Sequence, residues 1–229
     1  MQHFASPHWL HLTAIVSLAV AVLCATWIVV DEVRKPQRMW IMNLVWPLTA
    51  LFGSVLWIWL YVRSRQASKV PPAIDIAKAT THCGAGCVLG DIIAEWLAFI
   101  APAVAIVAGW HSLFAEKMFA VWVLDFALAF SIGIAFQYFT ITPMRNLSVR
   151  EGLFQALKAD AASIVAWQLG MYGFMAFAQF GVFKPLYGAL APVNSVEFWF
   201  AMQVAMLCGF VTSYPANWLL LRAGVKERM

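Results

Sequence analysis

The sequence predicts an all-α fold, a polytopic membrane helix bundle with about six transmembrane helices. Hydrophobic residues make up 63% of the 229 residues and charged residues only 11%, a composition that is not expected of a soluble domain of this size. The apolar residues also form six runs that are long enough to cross a hydrocarbon core of about 30 Å as helices. This composition argues against a water-soluble enzyme and against a nucleic-acid partner, so the expected surroundings are the lipid bilayer.

The predicted spans follow one another within a single membrane domain, residues 1–229. They lie at residues 9–30, 39–62, 79–109, 117–139, 148–183 and 198–221. The first run is too long for the apolar part of a signal peptide and has no Lys or Arg before it, which predicts a retained helix. The two N-terminal spans lie within residues 1–62, a polar loop with two consecutive prolines takes up residues 63–78, and a four-helix core follows at residues 79–225.

Prolines and a capping motif shape the individual helices. Pro47 is expected to kink the second span, because proline removes a backbone hydrogen bond from the helix. The third span is expected to pass Pro102 before it ends. Ser148 and Glu151 have the spacing of a capping box, so the fifth helix should begin there. If that helix continues to Phe183 it is about 50 Å long, and its first turns should extend beyond the bilayer.

Lysine and arginine residues orient the bundle, because cytoplasmic loops are enriched in them. Six crossings place both termini on the same side of the membrane. If that side is cytoplasmic, ten of these residues lie inside and five lie outside. The sequence therefore predicts a multi-pass protein of a bacterial inner membrane with both termini in the cytoplasm (N-in/C-in). Arg34, Lys35 and Arg38, which fall outside, are the exception.

One stretch of the third span carries most of the ionisable groups. On a helix, Cys83, Cys87, Asp91 and Glu95 follow each other every four residues and therefore lie along one face. His82 directly precedes the first of them. Ionisable groups inside a spanning helix are costly and are most often functional. We therefore expect the chemistry of the protein to be concentrated on this face.

The buried acids predict a cation or proton path. Asp91, Glu95 and Asp125 lie deep within predicted spans, and no Lys or Arg lies at comparable depth. An unpaired carboxylate in hydrocarbon must take up a proton, reach water or bind a cation. The third and fourth spans are antiparallel neighbours, so Glu95 and Asp125 are expected to meet near the middle of the bilayer. A protonated, purely structural pair is the alternative.

Sulfur-containing residues form three pairs, each with a spacing of four residues, on three different helices. The pairs are Cys83 and Cys87, Met171 and Met175, and Met202 and Met206. Each pair places two sulfur atoms on one helix face, and such ligands select Cu(I), while thiolates also bind Zn(II). Together with His82, these six residues are predicted to be metal ligands. Methionine also fills gaps in apolar cores, and that is the alternative for the four methionines.

A thiol redox function is the alternative for Cys83 and Cys87. Both are expected near the start of a helix, where the helix dipole favours the thiolate. A disulfide between them would require the helix start to unwind, because a spacing of four residues on an ideal helix is poor geometry for one. An accessory protein that holds metal or haem through His82, and a structural helical subunit without chemistry, are further alternatives.

Small and amide residues are expected to pack the helices together. Gly86 and Gly90 form a small-residue motif that allows a neighbouring helix to approach closely. Gln168, Gln203 and Asn217 are expected to make hydrogen bonds between helices, as polar residues within spans commonly do. These residues predict a closely packed core around the third span.

Three parts of the sequence carry a resemblance to a known family. They are residues 81–87 with Gly90 and Asp91, residues 157–160 with 166–173, and residues 206–210 with 213–217. Between about residues 79 and 225, the chain resembles a bacterial membrane family catalogued as domain of unknown function 4396. The resemblance implies a polytopic membrane fold and supplies no accepted activity.

The residues together predict a protein that transports or binds a soft metal, above all Cu(I), in the inner membrane. His82, Cys83 and Cys87 would form the inner site, the three acids the path, and the methionines the outer half. Copper or zinc is the expected metal, with haem less favoured. Lipid, the metal ion and a second copy of the chain are the expected partners. The sequence favours a non-enzymatic role.

Overall fold

The computed structural model describes residues 4–66 and 72–226. Within them, six helices are long and apolar enough to cross a membrane, which confirms the predicted all-α membrane bundle. In chain order the helices are α1 (His8–Arg34), α2 (Met42–Gln66), α3 (Pro72–Ile100), α4 (Ala103–Val107), α5 (Lys117–Arg145), α6 (Val149–Ala176), a π-helical segment (Phe177–Phe183), α7 (Lys184–Tyr187) and α8 (Val196–Arg222). The capping box of Ser148 and Glu151 is present at the start of α6.

The predicted bounds of the polar loop, residues 63–78, are wrong, because both neighbouring helices extend into it. α2 continues to Gln66 and α3 already begins at Pro72, while the five residues between them lie outside the described part of the chain. Proline is well placed at the start of α3, because the first helical position needs no backbone N–H donor. α3 also ends at Ile100, before Pro102 rather than beyond it. The reason is that a proline disfavours helical geometry at the residue before it.

The second predicted span, α2, is a helical hairpin. Ser54 has φ 48° and ψ −129°, far from helical values, and the chain reverses there. In a straight helix Trp46 and Tyr61 would be about 22 Å apart at 1.5 Å per residue, whereas their ring centroids are 5.4 Å apart. Residues 42–53 and 55–66 therefore lie side by side, and the bend expected at Pro47 is instead at Ser54.

Both ends of the hairpin lie beside the C-terminal end of α1. Tyr61 donates a hydrogen bond to Asp31 Oδ2 at 2.7 Å, and Arg65 Nη2 donates to Lys35 O at 2.7 Å. One side of the hairpin tip faces the bundle, where Gln203 Nε2 donates to Leu51 O at 2.7 Å, while Val55 and Leu56 on its other side are exposed. Irregular backbone at membrane depth is tolerated where it is buried in protein or lines a cavity, and Leu51 and Phe52 of the tip line one.

Because α2 enters and leaves at the same end, α1 and α8 run in the same direction. His11 Nδ1 lies 2.8 Å from Glu197 Oε1, and Ser17 donates to Gln203 Oε1 at 2.7 Å. Six straight crossings would have made these two helices antiparallel. The prediction that both termini lie on one side is therefore wrong, since the start of α1 and the end of α8 lie at opposite ends of the bundle.

The corrected direction of α1 strengthens the charge asymmetry. We call the end of the bundle that holds the end of α1 and the start of α3 the basic end, and the opposite end the far end. Eleven of the thirteen Lys and Arg residues in the described chain lie toward the basic end, including Arg34, Lys35 and Arg38, and only Lys117 and Lys184 lie toward the far end. The Lys and Arg residues of the described chain are therefore concentrated at one end of the bundle.

α3 is the central helix of the bundle, with contacts to α2, α4, α5, α6 and α8. Gly86 and Gly90 bring it very close to α5, as their spacing predicted. A methyl group on Gly90 would lie 2.5 Å from the backbone nitrogen of Ala129, and one on Gly86 would lie 2.5 Å from Cα of Gly133. Because the two helices approach so closely, the face of α3 that carries Cys87 and Asp91 is buried in the core.

A Gly90→Ala variant should be clearly less stable, because backbone atoms of α5 cannot move aside for the added methyl group. Overpacking of this kind costs about 1–3 kcal/mol. Gly173→Ala in α6 is the matched control, since nothing lies within 4 Å of its added Cβ, and alanine there should stabilise by about 0.4–1 kcal/mol. The unfolding temperature of each variant in mild detergent measures the difference. Equal stability of the two variants would contradict the close α3–α5 contact.

Candidate functional site

A line of buried polar side chains follows α3 through the bundle. From the basic end to the far end it consists of His82, Cys83, Cys87, Asp91 and Glu95, and none of the five is more than 4% exposed. The face that the sequence predicted to carry the chemistry is therefore turned into the protein and away from lipid. The neighbours of each side chain decide what it can do.

The two cysteines are free, buried thiols in the interior of a regular helix. α3 begins at Pro72, so Cys83 lies about three turns from the helix start. The helix dipole acts only within the first turn, and the expected stabilisation of a thiolate at a helix start therefore does not apply. Cys83 lies beside Ser213 of α8.

His82 lies beside Thr140 of α5, which sequence reasoning did not single out. Its Nε2 is 3.4 Å from the Thr140 hydroxyl. Its Nδ1 is buried and has no hydrogen-bond partner within residues 4–66 and 72–226. The imidazole therefore contacts a polar group of α5 through Nε2 only.

The middle of the bundle holds a cluster of Asp91, Asp125 and Gln168, which we call the acidic centre. The two carboxyl groups are close enough to interact, although no hydrogen bond joins them, and the Gln168 amide lies beside Asp91. Two carboxylates are both acceptors, so a hydrogen bond between them would require a proton on one of them. The prediction that Asp125 meets Glu95 is therefore wrong, because its neighbour is Asp91 and Glu95 lies one turn further along α3.

Most polar atoms of the acidic centre lack a protein partner. Both oxygens of Asp91, Oδ1 of Asp125 and both polar atoms of Gln168 are buried without a hydrogen bond to the described chain. The ion pairs of the described residues also leave Asp91 and Asp125 without Lys or Arg. Buried polar groups nearly always find a partner, so this cluster requires a proton, a cation or water. Gln168, predicted to connect helices, is instead part of it.

Tyr172 of α6 lies beside Asp125 and extends the centre by one residue that the sequence analysis missed. Its hydroxyl donates to Trp122 O at 3.1 Å and lies within hydrogen-bonding reach of the Asp125 carboxyl. A phenol has one proton to donate, and in this structure the Tyr172 hydroxyl gives it to the backbone oxygen of Trp122.

An apolar cavity of about 310 Å³ reaches Asp91 from the side of the hairpin. Its lining includes Leu51 and Phe52 at the hairpin tip, together with Met202 and Met206 of α8. The cavity lies between α1, α2, α3 and α8. The irregular backbone of the hairpin therefore lies against a space that ends at the acidic centre.

A second cavity, of about 210 Å³, lies toward the far end and is lined by Glu95, Lys117 and Gln179. Lys117 donates to Ala98 O at 2.7 Å, so a lysine does lie at the depth of Glu95, contrary to the sequence prediction. Gln179, in the π-helical segment, binds the backbone of Ala191 with both ends of its amide. Single π-helical turns of this kind are frequent at functional sites.

The predicted methionine ligands are buried in the core around α6 and α8. Met171 and Met175 are fully buried, while the sulfur of Met206 accepts a hydrogen bond from Trp167 Nε1 at 3.4 Å. In the described part of the chain, no group of three or more His, Cys, Asp and Glu side chains is placed to hold one metal ion. The metal-ligand assignments therefore stay predictions.

Of the predicted helix-connecting amides, Gln203 makes contacts between helices, whereas the hydrogen bonds of Asn217 stay within α8 and the turn that follows it. Gln203 accepts from Ser17 of α1 and donates to Leu51 of the hairpin. Asn217 donates to Ser213 one turn earlier and accepts from Lys226, which folds back into the core after α8. The sequence analysis did not predict that Lys226 is buried. The one available signal was Gly224, a residue type that permits a reversal just after a helix.

A family model described as Domain of unknown function (DUF4396) matches residues 74–226. The chain belongs to this family. No curated protein and no solved structure matches the chain. The residues that match the DUF4396 model begin in the first turn of α3 and include the acidic centre, both cysteines and Lys226, while α1 and the hairpin precede them.

Proposed function

We propose that this protein exchanges protons for a cation across the membrane, with the acidic centre as the central binding site. The observation that carries the proposal is the pair of buried carboxyl groups of Asp91 and Asp125 with unpartnered oxygens. Such a pair holds either a shared proton or a cation, and the two compete for the same oxygens. Ionisable groups within spans commonly mark ion pathways and proton relays.

The surroundings of the acidic centre support this function. Broken helices and irregular backbone near the middle of the bilayer are typical of ion and substrate sites in transporters, and the hairpin tip at Ser54 is such a feature. Glu95 lies between the acidic centre and the far-end cavity, and His82 continues the polar line toward the basic end. These residues would carry protons between the centre and the two membrane surfaces.

The test is proton movement in proteoliposomes that contain a pH-sensitive dye. A gradient of Na⁺, K⁺, Zn²⁺ or Cu(I) is imposed across the membrane, each in a separate experiment. We expect one cation to drive a change in internal pH that depends on the protein. Absence of a protein-dependent pH change with every cation in this series, and under an imposed membrane potential, would overturn the proposal.

Transport of a soft metal, above all Cu(I), is the second candidate. The observation that favours it is the position of the two thiols. Cys83 and Cys87 are free and buried on the same face as Asp91, and Met202 and Met206 line the cavity that reaches that residue. Sulfur ligands next to a carboxylate would let a soft metal ion pass from the thiols to the acidic centre as a proton leaves it.

Cys83→Ser and Cys87→Ser should each lose most of the copper bound by protein purified anaerobically with a reductant. The thiolates are the strongest soft ligands on this face, so removing either one breaks the site. Cys24→Ser and Cys208→Ser are the matched controls and should retain it. Elemental analysis of the purified variants measures the metal content. The same metal content in all four variants would exclude the thiols as ligands, and a Cys83–Cys87 disulfide in metal-free protein would favour the redox alternative.

A further inference from the structure

The turn that follows α8 places a lysine inside the bundle. α8 ends at Arg222, and Gly224 adopts φ 67°, a left-handed conformation that glycine adopts at little cost. The backbone N–H groups of Val225 and Lys226 then donate to Leu220 O at 3.0 and 3.2 Å. This reversal turns the Lys226 side chain back between α3, α6 and α8, where it is completely buried.

The ammonium group of Lys226 is surrounded by oxygen atoms from three helices. It lies 2.5 Å from Asp160 Oδ1, 2.8 Å from Asn217 Oδ1 and 3.4 Å from the backbone oxygen of Ala79. Two further oxygens on α6, Oδ2 of Asp160 and the hydroxyl of Ser163, are buried without a hydrogen-bond partner in the described chain. One carboxylate, an amide oxygen and a backbone carbonyl form the kind of ligand set that coordinates alkali cations in membrane proteins.

The amide of Asn217 is oriented for a cation by its own neighbours. Its Nδ2 donates to both the backbone oxygen and the hydroxyl of Ser213, which leaves only its oxygen for the ammonium group. The Ser213 hydroxyl in turn donates to Ser163 O at 2.9 Å. α6 and α8 therefore hold the Asn217 oxygen in place independently of Lys226.

We propose that Asp160, Asn217 and Ala79 O form a binding site for a monovalent cation, and that the ammonium group of Lys226 occupies it as an internal cation. A buried ion pair is seldom more stabilising than a well-packed apolar pair, so stability alone is a weak reason for this arrangement. When the turn after α8 moves away, the same oxygens would accept Na⁺ or K⁺ at the basic end. This proposal does not rest on proton exchange at the acidic centre, because binding is measured in detergent without transport.

The experiment compares unfolding temperatures in NaCl, KCl and N-methyl-glucamine chloride at equal ionic strength. The wild type should unfold at the same temperature in all three salts, because its own lysine fills the site. Lys226→Met, which keeps the length of the side chain and removes the charge, should be stabilised by Na⁺ or K⁺ in a saturable manner. The double variant Asp160→Asn with Lys226→Met should lose this dependence on the salt. Lys158→Met removes an exposed lysine from α6, the helix that carries Asp160, and this variant should behave like the wild type.

Two outcomes would overturn the proposal. The first is a Lys226→Met protein with the same unfolding temperature in all three salts, which would mean that Asp160 is satisfied without a cation. The second is a Lys226→Met protein that cannot be purified in NaCl or KCl while the double variant purifies normally. In that case a cation present at high concentration has failed to replace the ammonium group, and the lysine is a structural partner of Asp160 only.

Discussion

Asp91→Asn and Asp125→Asn should each abolish cation-driven proton movement in proteoliposomes while the protein stays folded. The amide keeps the volume of the side chain but can neither release a proton nor carry a negative charge. Loss of the negative charge should weaken cation binding by at least about tenfold, which corresponds to about 1.4 kcal/mol. Glu95→Gln should also lose most of the exchange, because that carboxyl connects the acidic centre to the far-end cavity.

The matched control for these variants is Asp75→Asn. Asp75 is an acid in the first turn of the same helix, partly exposed and outside the acidic centre, and its amide should keep wild-type exchange. Internal pH of the proteoliposomes is the measurement, with the unfolding temperature of each purified variant as the check on folding. Wild-type rates in both Asp91→Asn and Asp125→Asn would leave these acids as a protonated structural pair.

Trp167→Ala should cause the largest loss of stability among single substitutions in the core. The indole is fully buried where α3, α6 and α8 meet. Methyl groups on Gly84 and Gly209 would lie 2.3 and 2.8 Å from its ring, so both glycines make room for it. Phe52 at the hairpin tip packs edge-on against it, with ring centroids 5.6 Å apart. Removing a buried tryptophan costs about 3–5 kcal/mol, and here the cavity would also loosen the hairpin tip.

Trp218→Ala is the control for this substitution, because Trp218 lies on α8 and is 43% exposed. Its removal should change the free energy of unfolding much less than the removal of Trp167, since nearly half of its surface does not pack against protein. Unfolding temperatures of both variants in the same detergent give the comparison. Similar losses in the two variants would contradict the role of Trp167 as the contact point of three helices.

The local features of the fold could be predicted from the sequence. Composition and the length of apolar runs predicted the membrane bundle, and six described helices have that character. The capping box located the start of α6, and the spacing of Gly86 and Gly90 predicted the close contact of α3. The periodicity of α3 also placed Cys83, Cys87, Asp91 and Glu95 on one face. All of these depend on residues that are close together in the chain.

The path of α2 was not predictable in the same way. Its 25 residues have the apolarity of a crossing helix, and no proline or charge marks Ser54 as the point of reversal. The reversal depends on contacts with distant residues, such as the bond from Gln203 to Leu51 O. An error at this one residue inverted α1 relative to the bundle and made Arg34, Lys35 and Arg38 look like exceptions.

The sequence by itself determined that this protein is a membrane bundle with an unusually polar central helix, because composition and helical periodicity are properties of neighbouring residues. Only the tertiary structure decided which polar groups meet. Asp91 adjoins Asp125 because α3 and α5 approach through small residues, and Lys226 reaches Asp160, 66 positions earlier, because the chain reverses after α8. Such pairings follow from the packing of helices that are far apart in the chain, and in a bilayer that packing depends on shape and polar contacts rather than on apolar patterning.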